Sequence, residues 1–515
     1  MRNKIFILGA LLLTLALSAC RDKADLQYNY GINDSPLFAE AQKSYAGKYR
    51  VFWNAMNSNY GLWDYEKELG LDWDEHYRQF LPRFEALDAS TEPVTDAMLQ
   101  DLMNEMVAPL HDGHLAVTFI NHQTQHPVMV SPSDLRNATR DDAEISRLYT
   151  PTLAAHYNNG ELKEYKEADT RFFTQLAEMT KVKGRGLLWA KDRYNDLKQK
   201  ELPSQAEAME MSGLKGFIDA MDHFSTKGGT SSDFNSIVQK YSYLNIPFLE
   251  PIDTGFEKDG ISVKYGLFND NIAYFYLSDF SLISYLLDGA KNRTFPNATD
   301  FTNERIARVV DVWSSWFTAI QNLHKAGQLK GIILDLRGNP GGAFYDEQYL
   351  LGAMLPAGGF QIGWMRMKRG VGRYDYSPMM PEDIPTMADE HEIISDVPIA
   401  VLVNGGSVSM SEITALTAKS MDNARVIGKR SSGGLCGLVG SDYYSEDYAG
   451  HIGVEGVTPV YCYLPKNILF DMNKRPMEGV GIIPDFEVDL DVAAFKRDYT
   501  DTQLNRALQY VRTGN

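Results

Sequence analysis

Three serines stand at alternate positions of one short run, Val403-Asn404-Gly405-Gly406-Ser407-Val408-Ser409-Met410-Ser411-Glu412. Upstream, Pro398–Val403 is apolar and rich in β-branched residues, and Asn404-Gly405-Gly406 bounds it as a turn signal, so it reads as a buried strand. Downstream, Met410, Ile413 and Leu416 take helical spacing to about Met421. A strand, a glycine turn and a helix place the serines at a helix N-terminus, where unpaired N–H groups and a partial positive charge collect. A hydroxyl held there can attack a carbonyl while nearby N–H groups stabilise the oxyanion.

A serine hydroxyl needs a base within hydrogen-bond reach, and histidine titrates in the right range. A helix predicted over Thr95 to about Leu110 carries Met98, Leu99, Leu102, Met103, Met106 and Val107 on one face. It stops at His111-Asp112-Gly113-His114, before a predicted strand at Leu115–Ile120. Such a corner can present an imidazole at a cleft. His122 and His126 follow, but these histidines lack the HExxH spacing of a zinc helix, and no metal or other cofactor is expected.

The elements that must position these groups extend over 515 residues, enough for two or three domains with a large core. The net charge of −18 argues against a nucleic-acid partner, which needs clustered Lys and Arg. Residues 1–20 read as a targeting signal: Arg2 and Lys4, an apolar run from Ile5 to Leu17, then Leu17-Ser18-Ala19-Cys20. That ending resembles a bacterial lipobox, which implies lipidation at Cys20 and tethering to a membrane of the cell envelope. Cys436 and Cys462 are expected to be buried free thiols.

Residues 21–45 read as a tether, and 46–120 as a helical domain with a candidate N-cap at Asp72 and a helix through Tyr45, Tyr49, Phe52, Trp53 and Met56. Residues 121–255 form a mixed insert, helix-leaning at Glu161–Met179 and Asp192–Lys200, and broken at Ser225–Ser232. Gly184-Arg185-Gly186-Leu187-Leu188 is faintly like a PDZ carboxylate-binding loop. Residues 256–500 read as an α/β domain, with strands at Ile261–Tyr265, Ile272–Leu277 and Gly331–Leu336 and an amphipathic helix from Ile306 to Leu323. A further helix is expected after the glycine-rich turn Arg337–Gly342, and a last one at 501–515. Alternation of strands and helices implies a largely parallel sheet covered on its faces.

Four separated motifs now occur in order: LHDGH, GIILDLRGNPGG, LVNGGSVSMSE and a glycine-containing turn after RVIG. Together they resemble the C-terminal-processing (tail-specific) serine peptidases, over about 45–120 and 255–490. The resemblance implies a crotonase/ClpP-like α/β core and hydrolysis of peptide bonds in protein or peptide substrates. One branch of that family uses a lysine base, but Gly434 stands at the lysine position and Lys429 is out of register. The glycine form is similar to the tricorn-like branch, where a histidine and a later glutamate complete the site. Carried over by motif, Ser409 is the nucleophile, His114 the base and Glu478 the acid that orients it. The N–H groups of Met410 and of Gly341 or Gly342 become the oxyanion donors, Ser407 and Ser411 are structural, and His111 faces a helix dipole. A catalytically inactive peptide-binding lipoprotein on the same fold is the alternative.

Overall fold

A computed structural model describes residues 36–515 apart from 141–145, 147–148, 170–186, 201–202, 228–230, 247–260, 287–303, 357–358, 371, 385, 387–392, 438–451 and 454–457. Cys20 and Gly184–Gly186 lie outside the described residues. Its strands are β1 (Ala116–Ile120), β2 (Pro127–Val130), β3 (Leu162–Asp169), β4 (Ser262–Phe268), β5 (Ile272–Leu277), β6 (Gly331–Asp335) and β7 (Phe360–Met367). There follow β8 (Met380–Ile384), β9 (Ile399–Val403), β10 (Ala424–Gly428), β11 (Val460–Tyr463), β12 (Asn467–Phe470) and β13 (Phe486–Glu487).

The central sheet has seven strands in the order β13-β10-β9-β6-β5-β4-β3. It is mixed: the pairings from β13 to β5 are parallel, and β5-β4 and β4-β3 are antiparallel. Successive side chains of a strand face opposite ways, so continuous apolar runs signal burial on both sides. Ile332, Leu334, Ile399, Val401 and Val403 pack with Trp313 and Trp316 of the helix Glu304–Lys325 and with Ile413 and Leu416 of the helix Met410–Lys419. Ile333, Ala400 and Leu402 face the other way, against Leu504, Leu508 and Val511 of the helix Thr502–Thr513.

The N-terminal helices form their own aromatic core from Tyr49, Phe52, Trp63, Trp73, Phe80 and Phe84. Asp72 caps the helix Trp73–Asp88 by accepting from the Asp74 and Glu75 N–H groups. The helix Pro36–Ala41 lies within the expected tether, yet Ala41 is buried and its carbonyl accepts from the buried Lys48 ammonium at 2.6 Å, so the lobe begins before residue 46. Strand β1 pairs with β11, Ala116 opposite Tyr463, and thereby stitches this lobe to the C-terminal region.

Two expectations need correction. The stretch Glu161–Met179 does not begin as a helix: Leu162–Asp169 is edge strand β3, bulged between Leu162 and Glu164. The bulge lets Leu162 and Tyr165 share one face while Ala168 packs on the other, so the three mimic helical spacing without sharing a side. Its charges suit a sheet edge, with Glu167 bonded to Lys264 and Lys166 to Asp311. After the Arg337–Gly342 turn come a 3₁₀ turn, Phe344–Asp346, a single helical turn, Glu347–Leu350, and a second 3₁₀ turn, Gly352–Met354, in place of a full helix. Within the insert, the helices Leu187–Lys198, Gln205–Lys227 and Ser231–Lys240 share a core around Ala190, Leu197, Leu214, Phe217 and Val238.

Candidate active site

The expected nucleophile occupies a strained backbone position. Strand β9 ends at Val403, Asn404–Ser407 turns the chain, and Ser409 is the N-cap of the helix Met410–Lys419 with φ 56° and ψ −117°. A non-glycine residue there stores on the order of 1–3 kcal/mol, and such strain persists only where the surroundings dictate it. The surroundings do so here through side chains. Ser407 Oγ donates to Leu336 O at 2.8 Å and accepts from Asn404 N, and Ser411 Oγ donates to Asn339 O at 2.9 Å. Both hydroxyls are buried and committed to structure. Ser409 is the serine of the three that they do not tie down.

The glycine turn after β6 is locked against this segment. Arg337 is fully buried and pairs with Asp335, with Asp501 at the N-cap of the last helix and with Gln503. Asn339 donates to Leu277 O, its carbonyl accepts from Val408 N, and its Oδ1 accepts from Gly341 N at 2.8 Å. That last bond corrects one expectation: the Gly341 N–H is already used and is not an oxyanion donor. Gly341 serves by lacking a side chain. At φ +98° it lies so close that a Cβ would sit 2.6 Å from Ser409 Cβ and 2.9 Å from Met410 N. The N–H groups of Gly342 and Met410 have no hydrogen-bond partner among the described residues, and Met410 N lies against Gly341.

His114 comes from the other lobe. Asp112 Oδ1 accepts from the N–H groups of His114 (2.7 Å) and Leu115 (2.8 Å), which fixes the corner before β1. Glu478 lies opposite, fully buried, and accepts from Gly113 N at 2.6 Å and from Leu435 N and Cys436 N at 2.7 Å each. Its Oε1 is 4.0 Å from His114 Nδ1, a buried nitrogen with no other partner among the described residues. Gly113 packs directly onto Gly433–Gly434, and Gly434 packs on Val408, the neighbour of Ser409. The histidine corner and the serine turn therefore share one wall.

Burial sets the protonation of this cluster. Desolvation lowers His114 to about 4, so the imidazole is neutral. Desolvation, then the charge of Asp112, raises Glu478 to about 8 against the pull of its N–H donors. Asp112 is raised to about 7, chiefly by burial. Asp112, His114 and Glu478 each offer an atom within 4.8 Å of the others, the spacing a cation would need. The three N–H donors on Glu478 leave one of a carboxylate's roughly four acceptor sites for the imidazole, and the set reads as an acid–imidazole pair.

The remaining titratable candidates lie elsewhere. His111 pairs with Glu66, N to Oε1 at 2.7 Å and Nδ1 to Oε2 at 2.8 Å, rather than with a helix dipole. His126 pairs with Asp96, and His122 packs at a tilt against Tyr45. Lys429 is held by Asp489 at 2.7 Å and Glu487 at 3.2 Å, on the far end of β10. Cys436 and Cys462 are buried free thiols. Sequence reasoning missed Asp112 and Glu412. The only signal for Glu412 was a carboxylate at the third helical position after a serine, a capping pattern.

Residues 271–488 match Peptidase family S41. A carboxy-terminal-processing protease of Bartonella bacilliformis is 29% identical over 170 residues, covering 33% of this chain and 33% of that protein. A probable CtpA-like serine protease of Staphylococcus aureus is 24% identical over 209 residues, covering 37% and 40%. The chain thus spans about a third of the length of the curated relatives it matches. A solved structure from Parabacteroides merdae, described as a peptidase, aligns over 92% of this chain and 98% of its own, with TM-score 0.51 and 15% identity, a likeness of fold.

Proposed function

We propose that the chain, whose residues 271–488 match Peptidase family S41, is a serine endopeptidase of the bacterial envelope working through an acyl-enzyme on Ser409. The observation that carries the reading is the meeting of His114 with Glu478, on a wall shared with the strained Ser409 turn. With Nδ1 turned to Glu478, Nε2 of His114 is left to take the Ser409 proton as Oγ attacks the scissile carbonyl. The tetrahedral oxyanion is received by the N–H groups of Gly342 and Met410. Collapse breaks the C–N bond, and His114 passes its proton to the leaving amine. Water then repeats the sequence and frees the acid product. Glu478 orients the imidazole and stabilises its charged form. Lys429, paired with two carboxylates, takes no part.

A cavity of about 50 Å³ opens beside Ile413, one turn past Ser409; Phe344, Ile362, Met365, Leu435 and Leu469 make most of its wall, with Glu382, Gly437 and Asn467 completing it. We assign it to a small apolar side chain next to the scissile bond. The sheet order and its covering helices support a crotonase/ClpP-like core, and the lipobox-like ending at Cys20 supports a lipid anchor. Among the described residues, no helix is long and apolar enough to cross a membrane.

A fluorophosphonate probe on the purified protein tests the reading. Labelling at Ser409 is expected, lost in Ser409→Ala and weakened in His114→Ala, with peptide cleavage insensitive to chelators. An unlabelled wild type that still binds peptides would favour a non-catalytic binding protein instead.

A further inference from the structure

The loop Ser431–Gly434 holds no base, yet it touches every strand of chain that brings a residue to the site. Gly433 O accepts from Gly479 N at 2.8 Å, next to Glu478. Gly434 underlies Gly113, next to His114, and Ser432 N donates to Ser407 O at 3.0 Å, two residues before Ser409. Asn137, Arg140 and Ile482 hold the outer part of this loop at Ser431 and Ser432, and the fully buried carboxylate of Glu412 gathers its inner face. Its Oε1 accepts from Ser431 Oγ at 2.5 Å and Gly433 N at 2.7 Å. Its Oε2 accepts from Gly434 N at 2.7 Å and from Ser409 N at 3.1 Å.

A glutamate at the third helical position bonding back to the N-cap N–H is an ordinary helix start, and that accounts for the Ser409 contact. It does not account for the other three bonds, which reach 19 to 22 residues along the chain. Nor does capping alone call for a side chain buried without exposure. We propose that Glu412 is a positioning residue for the reaction: it holds the nucleophile's backbone with one oxygen and, with both, the loop on which the His114–Glu478 corner rests. One side chain thereby ties the serine turn to the loop beneath the histidine corner. The inference rests on the peptidase reading above.

Glu412→Gln keeps the shape but turns an NH₂ group toward N–H donors, so the bracket loosens. Its kcat on a peptide substrate is expected to fall on the order of 10²-fold, the sensitivity of such chemistry to displacements near 1 Å, with KM within about threefold. Fluorophosphonate labelling of Ser409 should slow in parallel. A merely structural role would lower the melting temperature while leaving kcat per folded molecule intact, and that result would overturn the proposal. Should Glu412→Gln fail to fold, Ser431→Ala retains the carboxylate and removes one donor. A kcat loss of about tenfold is then expected, and an unchanged kcat overturns the proposal. Wild-type protein that labels at Ser409 with both variants unaltered sinks this inference alone. A wild type that never labels sinks it together with the peptidase reading.

Discussion

The two sides of the candidate site are built by different means. On the serine side, position comes chiefly from backbone and close packing: a strained Ser409, a glycine with no room for a Cβ, and neighbouring hydroxyls spent on carbonyls, with the Glu412 carboxylate spent on N–H and O–H donors. On the histidine side, position comes from buried carboxylates, Asp112 holding the corner from within and Glu478 from across the chain. Steric changes should therefore damage the first side at every pH. Charge changes on the second should act through pH.

Ser409→Ala is the severest break. Activity should fall on the order of 10⁶-fold, as when a triad nucleophile is removed, with probe labelling abolished and the melting temperature little changed. Next comes Gly341→Ala, which forces a Cβ against Ser409 at positive φ. Its kcat should drop about 10²–10³-fold, comparable with losing an oxyanion donor, at all pH values.

Asp112→Asn probes the other side. Burial and the Asp112 charge raise Glu478, so the carboxylate form that orients His114 is gained as pH rises through about 8. The pH profile of kcat/KM should accordingly climb into the mildly alkaline range. Removing the Asp112 charge lowers the Glu478 pKa and moves that limb to lower pH, while Asn Oδ1 still accepts from the His114 N–H. An unmoved limb would mean that the two carboxylates do not communicate. The same raised acids bind more protons folded than unfolded between their ordinary range and about 8. Their contribution to stability is thus lost as pH rises through that window, which urea titrations across pH can follow. The smallest effect belongs to Lys429→Ala, which removes surface ion pairs and should change kcat by less than about twofold.

The sequence by itself determined what is written in local periodicity. Continuous apolar runs at Gly331–Asp335 and Ile399–Val403 specified strands buried on both faces. The switch to helical spacing after Ser409 specified the turn that strains it, and Asp72 and Thr95 marked helix starts that the structure retains. Such signals survive in one dimension because neighbours along the chain are neighbours in space. Tertiary structure decided the rest. Pairing with β4 made an edge strand of the charged run Leu162–Asp169, which alone looks helical. Asn339 took the Gly341 N–H, and Glu412 gathered its donors from a loop after β10. Gly113 meets Glu478 across 365 residues. Hydrogen bonds at such separation depend on how two lobes dock, and no spacing in the chain encodes that.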